Sequence, residues 1–398
     1  MTSADQAKQN YETRPYPGLD LAEITRKGQS IPPLKWMQAI GRPGRPQPDR
    51  VLVAGCGTGA EAFVMRRRLP KAEIVAIDFS PRSITIADRL QRSANLGKAI
   101  TFRVADLTSA GVAQVIGKDF DLITCHGVLS YILQPDQVLK SLAACLRPDG
   151  ALYLGVNGEN HPATRLRPWL TSFGLEVNQM KDERRLRELL GLWDSLHDDG
   201  IGELAYMSAS YLASDICGAH FNNWSLARWR SEANRVGWEV AGSMLLPPSL
   251  RLISERNHDR ILYPAGVGEL AERLDQTRPA SFHRLLLCPK TADDPNPFKG
   301  SECEQNLRWT GLYKLHMTVP KTAEKKVFAV FKSRTLNLEF ATELTKQQAF
   351  LVARLSEEAS PMVGWGRSEA ARRILWLWVN MGVVWWEPQR SEGGAKRI

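Results

Sequence analysis

The 398-residue sequence predicts an α/β fold, a doubly wound and mostly parallel sheet with helices on both faces. Three observations predict it. Short apolar runs alternate with helical patterns from Arg50 to Val156. The first run, from Val51 to Ala54, ends in the turn Gly55-Cys56-Gly57-Thr58-Gly59 and passes at once into an amphipathic stretch from Glu61 to Leu69. A second run, Ile74 to Ile77, delivers Asp78 roughly 20 residues on, the spacing at which an acid in a βαβ unit reaches a ribose hydroxyl pair. Glycines let main chain approach a ligand where a Cβ would collide. The unit therefore predicts a pocket for an adenosine-type nucleoside.

In chain order, residues 1–49 form an arm or lid: Tyr11 to Gly18 is proline-punctuated and extended, and Gly41 to Pro48 is a linker by composition. Strands are expected near 51–54, 73–77, 100–104, 119–125 and 151–156. Right-handed crossovers place the ligand crevice at the carboxyl ends of these strands, where Gly55 to Gly59, Asp78, Asp106 and Cys125-His126 converge. Asn157 to Pro162 is a turn-rich loop at the pocket mouth, followed by helical patterns at 163–175 and 181–192. Residues 157–223 form an insertion that caps the pocket. Ser225 is the N-cap of a helix reaching Val236. Trp238 to Leu246 and His283 to Cys288 are a strand pair that closes the sheet, interrupted by a helical segment at 247–282. Residues 50–290 thus make one domain and 291–398 a second. The second has strand-like runs at Gly311 to Val319 and Val327 to Lys332, then helices at Thr345 to Leu355 and Arg367 to Val379. With the short strand Val383 to Trp386 behind them, they suggest a small winged-helix-like module.

The glycine loop alone leaves the nucleoside open, because Gly55-x-Gly57-x-x-Ala60 also satisfies the dinucleotide fingerprint of NAD enzymes. The order of the later segments is more specific. Gly55 to Gly59, Asp78, Val104-Ala-Asp106-Leu107, Phe120 to Ile123 with Gly127 to Ile132, and Leu146 to Gly150 come in a fixed order. In these five places the chain resembles the class I S-adenosylmethionine-dependent methyltransferases. The resemblance implies a seven-stranded Rossmann-like sheet, S-adenosylmethionine as cofactor, and cofactor contacts from Gly55, Cys56, Gly57, Gly59, Asp78, Phe79, Asp106, Leu107 and His126. Asp78 would accept from the ribose hydroxyls and Asp106 from the adenine amine, unless Asp106 instead caps the helix after it. Val53 stands where many members carry an acid, which leaves the partner of the cofactor's methionine amine unassigned. Val53-Ala54-Gly55, the segment Tyr11 to Pro17 and the position of the carboxyl-terminal module resemble a bacterial branch that includes protein-lysine methyltransferases with a regulatory domain. Tyr11 or Tyr16 would cover the cofactor or simply pack the arm.

The cofactor brings an electrophilic methyl on a sulfonium, so transfer needs alignment and a free lone pair on the acceptor, not a metal. Thr124-Cys-His-Gly127 replaces the Asn/Asp-Pro-Pro-aromatic motif of enzymes that methylate adenine or glutamine amines, which speaks against those classes. His126 is the candidate base, or a structural histidine at a strand end. Glu159, His161, His197, Asp198 and Asp199 are expected as solvated loop residues, with Glu159 and His161 near the reactive end beside Tyr11 and Tyr16. Methyl transfer to an amine or other nucleophile, on a protein, is expected; the alternatives are a small-molecule O- or N-methyltransferase and a non-catalytic regulator that binds the cofactor. The six cysteines lack metal or disulfide spacing and fit reduced thiols in the cytoplasm. Met1 to Asn10 is too polar for a signal peptide, and the longest apolar stretch, Ile374 to Trp386, is too short to span a bilayer. The net charge of +9 is spread along the chain, and the carboxyl-terminal tryptophans are better used as core than as a nucleic-acid surface. That module is expected away from the cofactor, and the oligomeric state stays open.

Overall fold

The computed structural model describes residues 8–9, 11–18, 48–94, 98–256, 258–290, 307–318, 326–334, 337–358, 365 and 368–386. They divide into two compact units. One takes in 47–239 and 275–289 with the arm segment, the other 240–274 and the described residues beyond 290.

The first unit is built on β1 (Arg50–Ala54), β2 (Glu73–Asp78), β3 (Thr101–Val104), β4 (Phe120–His126) and β5 (Leu146–Asn157). With β6 (Trp238–Ser243) and β7 (Phe282–Pro289) they form one sheet in the order β3-β2-β1-β4-β5-β7-β6. Val51, Leu52 and Val53 are fully buried, as a central parallel strand covered on both faces requires. The chain leaves β1 towards β2 on one side and returns at β4 on the other, so a crevice opens at their carboxyl ends. Val53 pairs with Thr124, and Thr124 with Tyr153, which puts these three side chains in a row on one face. Next to the glycine turn, α1 (Ala60–Arg68) starts from Gly59 at φ 91°. At its far end the buried Arg66 guanidinium donates to the carbonyls of Leu69, Pro70, Ala72 and Ala99, which closes the helix terminus and ties it to the turn before β3. Beyond β2, α2 (Pro81–Ser93) has Pro81 at its first position and the Ser80 hydroxyl as its cap. α3 (Val112–Ile116) and α4 (Pro135–Cys145) complete the crossovers.

The sheet differs from expectation at β5, which begins at Leu146 instead of 151. Phe120 pairs with Leu146, and the register then shifts before Leu122 because Pro148 and Gly150 interrupt the ladder. In the cap, α5 (Pro162–Ser172) stops short of 175 because Gly174 turns left-handed at φ 75°. The next helix, α6 (Glu183–Leu196), runs past 192. Leu166, Leu170, Leu186, Leu190, Trp193 and Ile216 give the cap a buried core of its own. Ser225 caps α7 (Leu226–Arg235) as expected, and β7 pairs antiparallel with β5 and lies next to β6.

In the second unit, α8 (Leu246–Glu255) belongs with the carboxyl-terminal elements, as does most of the helical segment that continues into α9 (Val267–Thr277). Strands β9 (Tyr313–Thr318), β10 (Lys326–Ser333) and β11 (Glu339–Thr345) form an antiparallel sheet, and β8 (Leu307–Trp309) pairs with β12 (Val384–Trp386). Helices α10 (Lys346–Glu358) and α11 (Glu369–Met381) lie between β11 and β12 in the chain. The expected helix, helix and final strand are present, but β8 and β11 were hidden by their shortness and weak alternation. Trp376 and Trp378 are fully buried and bonded, their indole N–H groups donating to the Ala265 carbonyl at 2.7 Å and the Thr342 hydroxyl at 3.1 Å. They are core residues. The side chains of Trp385 and Trp386 lie outside what is described.

Candidate functional site

The glycine turn is fastened to the ends of β1 and β2. The amides of Gly55 and Cys56 both donate to the Ile77 carbonyl, at 2.9 and 2.8 Å. Asp78 then bridges two elements: Oδ2 accepts from the Gly57 amide and Oδ1 from the Ser80 amide, each at 2.9 Å. Burial raises the Asp78 pKa, and these amides hold the rise in check.

The main chain that comes closest to the turn is the arm. A Cβ on Gly57 would lie 2.2 Å from the Tyr16 carbonyl oxygen, which also accepts from the Thr58 amide at 2.9 Å. Farther along, the Glu12 carboxylate accepts from the Ser80 hydroxyl at 2.6 Å, and Tyr11 packs edge-on against Phe79 with ring centroids 5.4 Å apart. Tyr11 and Tyr16 thus lie beside the turns that follow β1 and β2. Sequence reasoning saw in these glycines only room for a ligand; Gly57 also makes room for Tyr16.

Beside the arm lies a half-buried carboxylate that the sequence did not suggest. Asp215, in a π-turn of the cap (Leu212–Ile216), accepts from the Tyr131 hydroxyl on Oδ1 and the Ser214 hydroxyl on Oδ2, each at 2.8 Å. Asn157 donates to the Tyr131 oxygen at 3.3 Å. Tyr11, Tyr16 and Tyr211 are near enough that the Asp215 charge pushes their pKa values up, beyond the effect of burial. Burial raises the Asp215 carboxyl to about 6, with Tyr131 and Ser214 opposing the shift. Four tyrosines from the arm, the loop after β4 and the cap thus share the influence of one acid. A single Asp in a serine-rich stretch carries no motif, so only the tertiary fold could find it.

A third acid, Glu61, sits in the first turn of α1. Its Oε1 is sealed from solvent and has no hydrogen-bond partner among the described residues.

His126 is placed differently from a base. Its Nδ1 is 2.8 Å from the Tyr153 hydroxyl, its ring lies against Tyr153 and Phe282, and a Cβ on Gly155 would come within 2.5 Å of that nitrogen. Burial first, and the Arg284 charge second, lower its pKa to about 4. Such an imidazole is neutral at pH 7 but a weak proton acceptor. His161, expected near the reactive end, is spent as the cap of α5, where Nδ1 accepts from the Ala163 amide at 3.3 Å; Glu159 is exposed on the same loop. Asp106 is exposed, and its Oδ1 accepts from the amide and hydroxyl of Thr108 at 2.8 and 2.7 Å, so that oxygen closes a local turn. Leu107 and Cys56 are buried.

A family model described as a methyltransferase domain matches residues 52–152. This is a class I methyltransferase domain. Among curated relatives, the methyltransferase domain is 42% identical over 117 residues to an uncharacterised Synechococcus protein, covering 29% of this chain and 26% of that one. It is 32% identical over 109 residues to the ubiquinone biosynthesis O-methyltransferase of Xanthomonas axonopodis pv. citri, covering 27% and 43%. The chain thus spans less than half the length of either relative. The chain is similar in fold to PKMT2 from Rickettsia typhi, with a TM-score of 0.55 over 93% of this chain and 76% of that one. At 15% identity this likeness concerns the fold alone.

S-adenosylmethionine is the cofactor of this methyltransferase class. The methyltransferase domain here fits it: Asp78, Glu61 and Asp215 make the crevice acidic, and the buried Thr58 hydroxyl and Glu61 Oε1 lack partners among the described residues. That lining matches a nucleoside carrying both a sulfonium and an ammonium group. Among the described residues, no helix is long and apolar enough to cross a membrane.

Proposed function

We propose that this chain transfers a methyl group from S-adenosylmethionine to an amine. One observation carries the choice of acceptor: Asp215 takes a 2.8 Å hydrogen bond from Tyr131, with Tyr11, Tyr16 and Tyr211 near enough to feel its charge, and Tyr11 also feels the charge of Asp78. Tyrosine faces attract a cation and the carboxylate offsets its charge, so an ammonium is the group this lining suits. In this reading the Asp78 carboxylate accepts from the ribose hydroxyls, and Phe79, Cys56 and Leu107 line the adenosine pocket. Asp106 reaches the adenine amine through its second oxygen. Tyr153 and Phe282 hold His126 as part of the wall.

When bound, the cofactor supplies a methyl group whose bond to sulfur breaks with the electron pair staying on sulfur. The chain's own task is to free the acceptor's lone pair. Asp215 is ionised at pH 7 and can take the proton that the ammonium must lose before nitrogen forms the new bond to carbon. The arm and cap, seated at the same ends of the strands, exclude water and align the nitrogen.

The test is labelling of a fractionated cell lysate with tritiated methyl from the cofactor, followed by mild base. Methyl esters release volatile label, whereas methylated amines keep it. Base-stable label that chromatographs as a methylated amine and disappears with Asp215→Asn supports the reading, and label in a methyl ether overturns it. Base-labile label, or no transfer by a protein that binds S-adenosylhomocysteine, overturns it. The protein and filtrate fractions separate a macromolecular amine from a small one.

A further inference from the structure

Of Asp78, Asp215 and Glu61, two have both oxygens bonded within the chain. Both Asp78 oxygens accept from main-chain amides, and both Asp215 oxygens accept from hydroxyls. Glu61 is different. Its Oε1 is sealed from solvent without a partner among the described residues, and the Thr124 hydroxyl beside it is the one group that favours the ionised carboxylate. The Glu61 charge is felt by Cys56 on the glycine turn, Cys125 on β4 and Tyr153 on β5, so the carboxylate lies close to the row that Val53, Thr124 and Tyr153 form across β1, β4 and β5. Val53, the register partner of Thr124 on β1, contributes only methyl groups there. A carboxylate oxygen removed from water without a partner is costly unless a cation completes it.

We propose that Glu61 is the ion-pair partner of the α-ammonium group on the methionine portion of bound S-adenosylmethionine, with Thr124 steadying the carboxylate. The inference rests on the cofactor assignment above and concerns a residue that no sequence pattern singled out. It also explains how β1 can carry the apolar Val53 next to its last residue and the cofactor's amine still find a negative partner. The helix supplies from α1 what the strand lacks. Burial raises the Glu61 carboxyl to about 7, so the free protein is part-protonated at neutral pH, and an arriving cation favours the ionised form. Cys56, Cys125 and Tyr153, the titratable groups around it, are all pushed upward by burial and stay protonated, and the Arg284 guanidinium lies beside Tyr153.

Titration calorimetry on the full-length protein with two ligands tests this. S-adenosylhomocysteine carries the ammonium, whereas 5′-methylthioadenosine keeps the adenosine and thioether but lacks the amino-acid end. Glu61→Gln should weaken S-adenosylhomocysteine roughly 10- to 100-fold, the loss expected for a charged hydrogen bond, and leave methylthioadenosine unchanged. At pH 7 the wild type should also release a fraction of a proton on binding S-adenosylhomocysteine, read from buffers of different ionisation enthalpy, and the variant should not. Equal losses for both ligands, or unchanged affinity for both, overturn the role of Glu61 while leaving the cofactor assignment standing. A wild type that binds neither ligand sinks both. Retained methylthioadenosine binding shows that the variant is folded.

Discussion

Replacing Gly57 with alanine should detach the arm from the glycine turn. Two costs add. Gly57 has φ 53°, and an alanine held left-handed costs about 1–2 kcal/mol. Its Cβ would also lie 2.2 Å from the Tyr16 carbonyl oxygen, a main-chain atom that can yield only by moving the arm. Moving it breaks the 2.9 Å bond from the Thr58 amide, worth about 1 kcal/mol net. The sum is about 2–3 kcal/mol, so the Thr58 amide should exchange its hydrogen roughly 30- to 150-fold faster. Gly174→Ala separates the costs, because Gly174 has φ 75° but nothing within 4 Å of the place a Cβ would take. That variant should lose a similar amount to backbone strain and leave Thr58 exchange unchanged. Hydrogen-exchange mass spectrometry on the peptide holding Thr58, with S-adenosylhomocysteine affinity alongside, reads both. If Gly57→Ala matches Gly174→Ala in Thr58 exchange and matches wild type in affinity, the arm does not brace the turn.

Burial lifts Asp215 to about 6 from an ordinary 3.8, so its carboxylate is protonated below that pH and ionised above it; kcat/KM should climb as pH rises through 6, and Asp215→Asn should flatten that limb. His126→Gln, by contrast, should cost about 1 kcal/mol in stability through the lost bond to Tyr153 and leave the profile between pH 6 and 8 unchanged, since His126 titrates near 4. In the second unit, Trp378→Ala removes a ring packed on Phe331 and Trp365 and should destabilise that unit by about 3–5 kcal/mol, seen in thermal unfolding; a loss below 1 kcal/mol would contradict its core role.

The parallel half of the sheet was legible because burial on both faces forces uninterrupted apolar runs such as Val51 to Val53, and because the glycine turn and Asp78 must stand at a fixed spacing. Ser225 announced its helix by capping chemistry that is local in sequence. Asp215 and Glu61 were not legible for the opposite reason. Their environments are made by Tyr131, Thr124 and Tyr153, brought in by elements far away in the chain, and an acid on a helix looks the same whether its carboxylate faces water or a sealed crevice. His161 shows the converse error. Its place on the loop after β5 was expected correctly, but the first turn of α5 offered it a nearer partner. The short strands β8 and β11 escaped because three to seven residues of mixed polarity hold little periodic signal.

The position of β7 has a bearing on how the chain is made. It lies between β5 and β6 but comes after both in sequence. During synthesis from the amino terminus, β5 therefore emerges with one row of amides and carbonyls unpaired, and that row stays open until Phe282–Pro289 has left the ribosome. The glycine turn and the arm exist long before then. The nascent protein thus carries a nearly finished nucleoside pocket beside an unguarded strand, and binding of a nucleoside at that stage would steady the half-built sheet until its missing strand arrives.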